Sequence, residues 1–254
     1  MTNIFTQEKI ANQFNQYNDV LEQALGYQRI FDYFAAQPAQ TILDYGCGPG
    51  KVAQRLAQHT DAQIIAVDAS QQMIDIAKLE RSEANIVYDV VHDNRLTWLA
   101  DDSIDSAIAC YVMINNGSER RIQDMMREIF RVLKPGGQFM ILDTNPKATG
   151  IPFSTFQNGE TDKTYGYGAP RIEWLHLNTT EDLILHDFHW PVAMYETNLV
   201  QAGFDSVTLA FPTIAQLSAA QRQALDQQYG EREWGNERTQ APFIFIQATK
   251  PQMK

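Results

Sequence analysis

Phe14, Tyr17, Leu21 and Leu25 recur at spacings of three and four, one apolar stripe on a helical stretch predicted over residues 4–36. Gln37-Pro38 closes that stretch. A short apolar run then predicts a buried strand over residues 41–45, and it enters the turn Gly46-Cys47-Gly48-Pro49-Gly50. A helix is predicted over 52–58 and a second strand over 63–68. Ser70 is placed to cap the next helix, whose buried face carries Met73, Ile74 and Ala77.

Residues 85–91 and 104–112 predict a third and a fourth strand. From Ser118 the polar and apolar positions alternate with a helical period, with Ile122, Met125, Met126, Ile129, Phe130 and Leu133 on one face. Pro135-Gly136-Gly137 ends that run, and a fifth strand is predicted over 138–143. Residues 145–180 break the pattern and are rich in Gly, Pro, Thr and aromatics; a stretch of that length is expected to cover a site. The alternation then resumes: strand 183–188, helix 192–201, strand 205–211, a polar helix over 215–228 and a last strand over 243–248. Strands alternating with helices predict an α/β, doubly wound, Rossmann-like sheet. Ligands of such sheets bind beyond the carboxyl ends of the strands.

The composition narrows the partners. The 254 residues carry a formal net charge of −11, which disfavours nucleic acid. Two cysteines, Cys47 and Cys110, form neither a metal spacing nor a disulfide framework and are expected as reduced thiols. No metal is expected. The first twenty residues show no basic segment followed by an apolar one, and no apolar run approaches a membrane span, so a cytoplasmic protein is expected.

The glycine turn allows three ligand chemistries. A phosphate-binding P-loop needs a first glycine where Tyr45 stands and a hydroxyl where Val52 stands. A dinucleotide fingerprint needs a glycine where Lys51 stands, and Asp44 would face a pyrophosphate. A cationic ligand with a carboxylate suits both features. Asp44 meets the positive charge, and the N–H groups of the turn meet the carboxylate.

Asp44-Tyr45-Gly46-Cys47-Gly48-Pro49-Gly50 resembles the first motif of the class I S-adenosylmethionine-dependent methyltransferases. Further matches follow in order: Val67-Asp68-Ala69-Ser70, His92-Asp93-Asn94, Ser103-Ile104-Asp105, Arg131 to Gly137, and Ala202-Gly203-Phe204. The resemblance covers residues 41–145 closely and 181–249 loosely. It implies a mostly parallel seven-stranded sheet with an antiparallel last strand, and S-adenosylmethionine as cofactor. It implies cofactor contacts at Asp44, Tyr45, Gly46, Cys47, Gly48, Asp68, Ala69, Met73, Asp93, Asn94 and Cys110, with Asp68 on the ribose diol and Asp93 or its neighbour on the adenine. One domain, 1–254, is expected, divided into a helical cap (1–38), a cofactor-binding core (39–144), a lid (145–180) and a completion of the sheet (181–254).

Methyl transfer from a sulfonium is an in-line displacement in which the protein chiefly orients the reactants. The acceptor is expected above the end of the fourth strand, walled by Tyr17, Tyr111, Tyr165, Tyr167, Trp174 and Trp190, which suits a flat aromatic or heterocyclic small molecule. His189 is the first candidate for a general base and His176 the second, with Tyr111 beside the reacting centre. The absence of an asparagine-proline-proline motif after the fourth strand also points to a small acceptor. A monomer or homodimer is expected, with no membrane or nucleic-acid partner. Two alternatives stay open at this point: an enzyme of the same fold with other chemistry, and a non-catalytic cofactor-binding protein.

Overall fold

A computed structural model describes residues 8–177 and 181–252. The chain opens with α1 (Glu8–Asn15) and α2 (Val20–Glu22), continues in a π-helical turn (Gln23–Tyr27), and ends its first region in α3 (Gln28–Ala36). Then come β1 (Thr41–Tyr45), α4 (Lys51–Ala57), β2 (Gln63–Asp68), α5 (Gln71–Glu80), β3 (Ile86–Val90) and β4 (Ile104–Cys110). They are followed by α6 (Glu119–Val132), β5 (Leu133–Thr144), β6 (Phe156–Asn158), β7 (Ala169–Leu175) and β8 (Leu183–His189). The chain closes with α7 (Val192–Ala202), β9 (Asp205–Ala210), α8 (Ala219–Tyr229) and β10 (Phe243–Thr249).

Seven strands form one sheet in the order β3-β2-β1-β4-β5-β10-β9. β1 pairs in parallel with β2 and β4, while β10 runs antiparallel to both β5 and β9. The expected doubly wound architecture with an antiparallel last strand is therefore present. Successive strand residues point to opposite faces. Ile42, Ile64, Ala66 and Ile108 join the core under α3, α4 and α5. Leu43, Val67, Ala107 and Ala109 join the core under α6 and α7. The strand order reverses at β1, so the crevice beyond Tyr45 is where this topology places a ligand.

Two expectations need correction. The helical run predicted over 4–36 is not continuous across its described part. Residues 17–19 break it, because polar side chains there offer the backbone other partners. Asn18 Oδ1 accepts from Val20 N–H at 3.3 Å, and Asp19 accepts from Arg55 of α4 at 2.7 Å. The π-helical turn after α2 sits directly on the sheet, since a Cβ at Gly26 would strike Leu142 of β5.

The second correction concerns the strand predicted at 183–188. It does not extend the main sheet. It pairs antiparallel with β7 in a second, three-stranded sheet, β6-β7-β8. The segment taken as a loop thus supplies β6 and β7, and the boundary drawn at residue 180 cuts a hairpin. The cause is the alternation of inner residues: Leu175, Leu183 and Leu185 join Phe156 in the core next to α3. This small sheet lies over the crevice. It is anchored where Phe188 N–H donates to the Ile114 carbonyl at 2.8 Å and Trp190 Nε1 donates to the Asn116 carbonyl at 2.9 Å.

Candidate active site

The turn after β1 is shaped by glycines. Gly46 has φ +79°, and a Cβ there would strike Val112. Gly46 N–H and Cys47 N–H donate to the Val67 carbonyl at 2.7 and 2.9 Å, which ties the turn to the end of β2. Asp44, one residue before the end of β1, is 1 % exposed, and its Oδ2 has no hydrogen-bond partner. Burial, then the nearby Asp68, pushes its carboxyl up to about 7. A buried carboxyl oxygen without a donor is costly unless a ligand completes it.

Asp68, at the end of β2, takes one N–H on each oxygen: Gly48 N–H at 2.9 Å and Ser70 N–H at 2.8 Å. A carboxylate has about four lone-pair sites, so two remain for hydroxyl donors. Holding the turn and accepting a diol are therefore compatible for Asp68. Beyond β3, His92 to Arg95 forms a turn closed by Arg95 N–H on the His92 carbonyl at 3.0 Å. Asp93 and Asn94 both have positive φ (50° and 57°), the pattern of a type I′ turn. Asn94 lines the crevice; Asp93 is exposed and does not.

The crevice is a cavity of about 530 Å³ that runs from the glycine turn to the underside of the small sheet. That volume lies in the range of small-molecule sites. Tyr45, Gly46, Cys47, Gly48, Ala69, Met73 and Cys110 line it together with Asp44 and Asp68. Tyr111 follows β4 in the left-handed region, φ +59°, a conformation uncommon for a large side chain. Its N–H donates to the Leu142 carbonyl at 2.7 Å, and Asn115 Nδ2 donates to its carbonyl at 2.6 Å. The Tyr111 hydroxyl is buried without a partner. Its ring meets Tyr27 edge-on at 6.3 Å and Phe243 at 5.7 Å, and Phe243 stacks on Phe156 at 5.4 Å. The far end of the cavity is thus an aromatic box.

A methyltransferase-domain family model matches residues 42–137, the span that runs from β1 and the glycine turn through β4 and α6 to the start of β5. The N-demethylindolmycin N-methyltransferase of Streptomyces griseus is 36% identical over 192 residues, covering 73% of this chain and 80% of that one. The chain belongs to the S-adenosylmethionine-dependent methyltransferases. A 2-phytyl-1,4-naphtoquinone methyltransferase of Trichormus variabilis is 29% identical over 222 residues, covering 79% of this chain and 89% of the other. The fold is shared with a solved S-adenosylmethionine-dependent methyltransferase of Methanosarcina mazei, at a TM-score of 0.55 and 17% identity, over 87% of this chain and 97% of that one.

S-adenosylmethionine is therefore the cofactor of this methyltransferase, and the site fits it. Asp44 presents an unpaired carboxyl oxygen to a cation, Asp68 keeps acceptor capacity for a diol, and the glycine turn leaves room for close approach. No helix among the described residues is long and apolar enough to cross a membrane, and no group of His, Cys, Asp and Glu among them is arranged to hold a metal.

The histidines of the methyltransferase do not sit as expected. His189 lies at the end of β8 but faces Thr149, whose Oγ1 is 3.2 Å from Nδ1, and it does not line the cavity. Burial and then Arg171 lower its pKa. His176 is 3.0 Å from Asp182 at a hairpin edge and does not line the cavity either. His189 shares the face of Leu185 but lies at the end of β8 away from the β7–β8 hairpin, beside Thr149, while His176 follows β7 at the opposite end; Leu185 lines the cavity, with His186 at the rim.

Four aromatic nominees also lie elsewhere. Tyr167 is 57 % exposed and donates to Glu119 at 2.6 Å, Tyr165 donates to Glu160, and Trp190 packs against Tyr167. Trp174 is on the outer face of β7, one residue from Glu173 and Leu175, which face the cavity. Tyr17 and Tyr111 line the cavity. Sequence reasoning missed Glu22, Tyr27, Phe156, Glu173, Leu175 and Phe243. The signal for Glu173 was its place in the alternation Arg171, Glu173, Leu175. The signal for Glu22 was a lone carboxylate inside the apolar run Val20 to Tyr27.

Proposed function

We propose that this methyltransferase acts on a flat, nitrogen-bearing aromatic or heterocyclic metabolite and methylates its nitrogen. The carrying observation is the aromatic box of Tyr27, Tyr111, Phe156 and Phe243, which opens onto the cofactor end of a single cavity. A relative at 36% identity is named for N-methylation, which supports nitrogen as the acceptor atom. Offset and edge-on rings favour a flat ligand. Bound in this crevice, S-adenosylmethionine supplies a methyl group already activated on a sulfonium. The protein holds the acceptor in line with it and keeps water out.

On this reading Asp44 meets the ammonium and sulfonium side of the cofactor, Asp68 takes the ribose hydroxyls, and Asn94 rather than Asp93 reaches the adenine. Tyr45, Gly46, Cys47, Gly48, Ala69, Met73 and Cys110 shape the walls. Tyr111 orients the acceptor. The free thiols Cys47 and Cys110 support a reducing, cytoplasmic setting. The charge of −11 supports a small-molecule partner over nucleic acid. The chain acts as one catalytic unit with a helical cap and a lid, as a monomer or homodimer.

Transfer of labelled methyl to a panel of indole amines, phenols and quinones tests the acceptor. Label on nitrogen of the amines is expected; label confined to phenol oxygen or quinone carbon removes the reading. The role of Asp44 has its own test. Its carboxyl is pushed up to about 7, with Asp68, Cys47, Cys110 and Tyr88 around it. Below that value it holds a proton, which a cationic ligand must displace. Affinity for S-adenosylhomocysteine is therefore expected to rise about tenfold between about pH 6 and about pH 8. Calorimetric titration checks this, and a flat profile would separate Asp44 from the cofactor's charge.

A further inference from the structure

We propose that the acceptor enters as a cation, its protonated nitrogen held between the carboxyls of Glu22 and Glu173, and that Glu173 takes the proton that frees the nitrogen to react. This rests on the reading of the aromatic end of the cavity as the acceptor pocket.

Glu22 projects from α2 and is 5 % exposed. Tyr17 Oη donates to its Oε1 at 2.6 Å, while its Oε2 is buried with no partner. Glu173 stands on the inner face of β7, 7 % exposed, and its Oε1 accepts from Asn158 Nδ2 at 3.0 Å. Both line the cavity, and each lies within the electrostatic reach of Tyr17. Glu22 acts electrostatically on Glu173, and two such buried carboxyls oppose each other's ionisation unless a counter-charge is supplied.

The neighbouring cations are committed elsewhere. Arg171 forks onto Asp187, with Nε to Oδ1 and Nη2 to Oδ2 both at 2.9 Å. Arg55 pairs with Asp19 at 2.7 Å. Lys51 donates to the main-chain carbonyl of Tyr17 at 2.8 Å. Among the described residues no basic group lies within ion-pair distance of Glu22 or Glu173. The wall therefore has two buried carboxyls, one unpaired oxygen and no cation of its own, and a ligand cation completes it.

Burial raises the Glu22 carboxyl to about 8, with Asp19 adding to the rise and Tyr17 and Lys51 opposing it. Burial and then Asp187 raise Glu173; Asn158 and Arg171 oppose them, and Glu22 adds to the rise. Glu173 stands between two other acids, Asp187 and Glu22, so a proton arriving on it relieves repulsion from both. Glu22 keeps its bond from Tyr17. The cation displaces the proton held by the carboxyl pair. An N–H bond of the ammonium then breaks, its electron pair stays on nitrogen, and the proton passes to the Glu173 carboxylate. That pair forms the new N–C bond as the C–S bond breaks, and the C–S electrons go to sulfur. A methylated ammonium and a neutral thioether result.

The test uses three indoles of one ring and three charges: tryptamine, indole-3-ethanol and indole-3-acetate. Each is titrated calorimetrically into the full chain with S-adenosylhomocysteine present, in buffers of different ionisation heat. Tryptamine is expected to bind about tenfold or more tighter than the alcohol, the acetate not to bind, and proton release to accompany the amine. In Glu173→Gln, and separately in Glu22→Gln, the preference is expected to fall to about threefold or less while S-adenosylhomocysteine affinity holds, which also reports the fold. Equal binding of amine and alcohol overturns the inference and leaves the flat-acceptor reading intact. So does a variant that keeps the preference, or one that loses the nucleoside instead. Binding of none of the three overturns the flat-acceptor reading and this inference with it.

Discussion

Asp68→Ala is expected to weaken S-adenosylhomocysteine binding by about 100-fold or more, because a carboxylate acceptor of two hydroxyls contributes roughly 1.5 to 3 kcal/mol per charge-assisted hydrogen bond. Asp68 acts twice. It lines the cavity, and its oxygens hold Gly48 N–H at 2.9 Å and Ser70 N–H at 2.8 Å. On the proposed binding mode alanine removes the acceptor of the diol, and it also leaves Gly48 N–H of the glycine turn without its acceptor. Asn in its place keeps one acceptor and loses the charge, so Asp68→Asn is expected between the wild type and alanine. Calorimetric titration of the three proteins orders them. An alanine variant within about threefold of the wild type would place the ribose clamp elsewhere, since that span is under 1 kcal/mol.

The second large effect is on stability. Arg171→Met is expected to lower the unfolding free energy by about 3 to 5 kcal/mol, the range for breaking a buried ion pair by removing one partner. Arg171 and Asp187 have side chains 1 % and 0 % exposed. Without the guanidinium, Asp187 is a buried charge with one remaining donor, Asn158 Nδ2 at 2.9 Å. Thr144 Oγ1 and Thr149 Oγ1 each lose a donor at 2.8 Å, and with them goes a link between the small sheet and the end of β5. For a chain of this size the loss corresponds to a fall in melting temperature on the order of 10 °C. Arg171→Met with Asp187→Leu is expected to recover part of it, because the orphaned charge is gone. Thermal melts of both variants check this. A fall below about 3 °C for the single variant, under roughly 1 kcal/mol, contradicts it.

The cofactor half of the site was legible in the sequence because it is made by local backbone chemistry. A strand, a glycine turn and an acid closing the next strand specify their own geometry, so Asp44, Gly46, Gly48 and Asp68 stand together as expected. The acceptor half was not legible, because it is made by tertiary pairing. Along β7 a step of one residue changes the face, so Trp174 points away while Glu173 and Leu175 point in. Tyr167 and Trp190 look like wall residues from composition alone. Their polar ends are in fact tied to Glu119 and to the Asn116 carbonyl. Strand β8 carried the right period and the right length, but no local signal says which of two sheets it joins.

Lys51 begins the helix behind the glycine turn, and its ammonium grips the Tyr17 carbonyl of the cap at 2.8 Å. The same short cap segment places Phe14 4.0 Å from where a Gly48 side chain would begin and Tyr17 on Glu22. One stretch of chain therefore borders both the glycine-turn end and the Glu22 end of the cavity. A substitution that retunes it for a new acceptor also changes how firmly the nucleoside is retained, so the two traits are inherited together rather than adjusted one at a time.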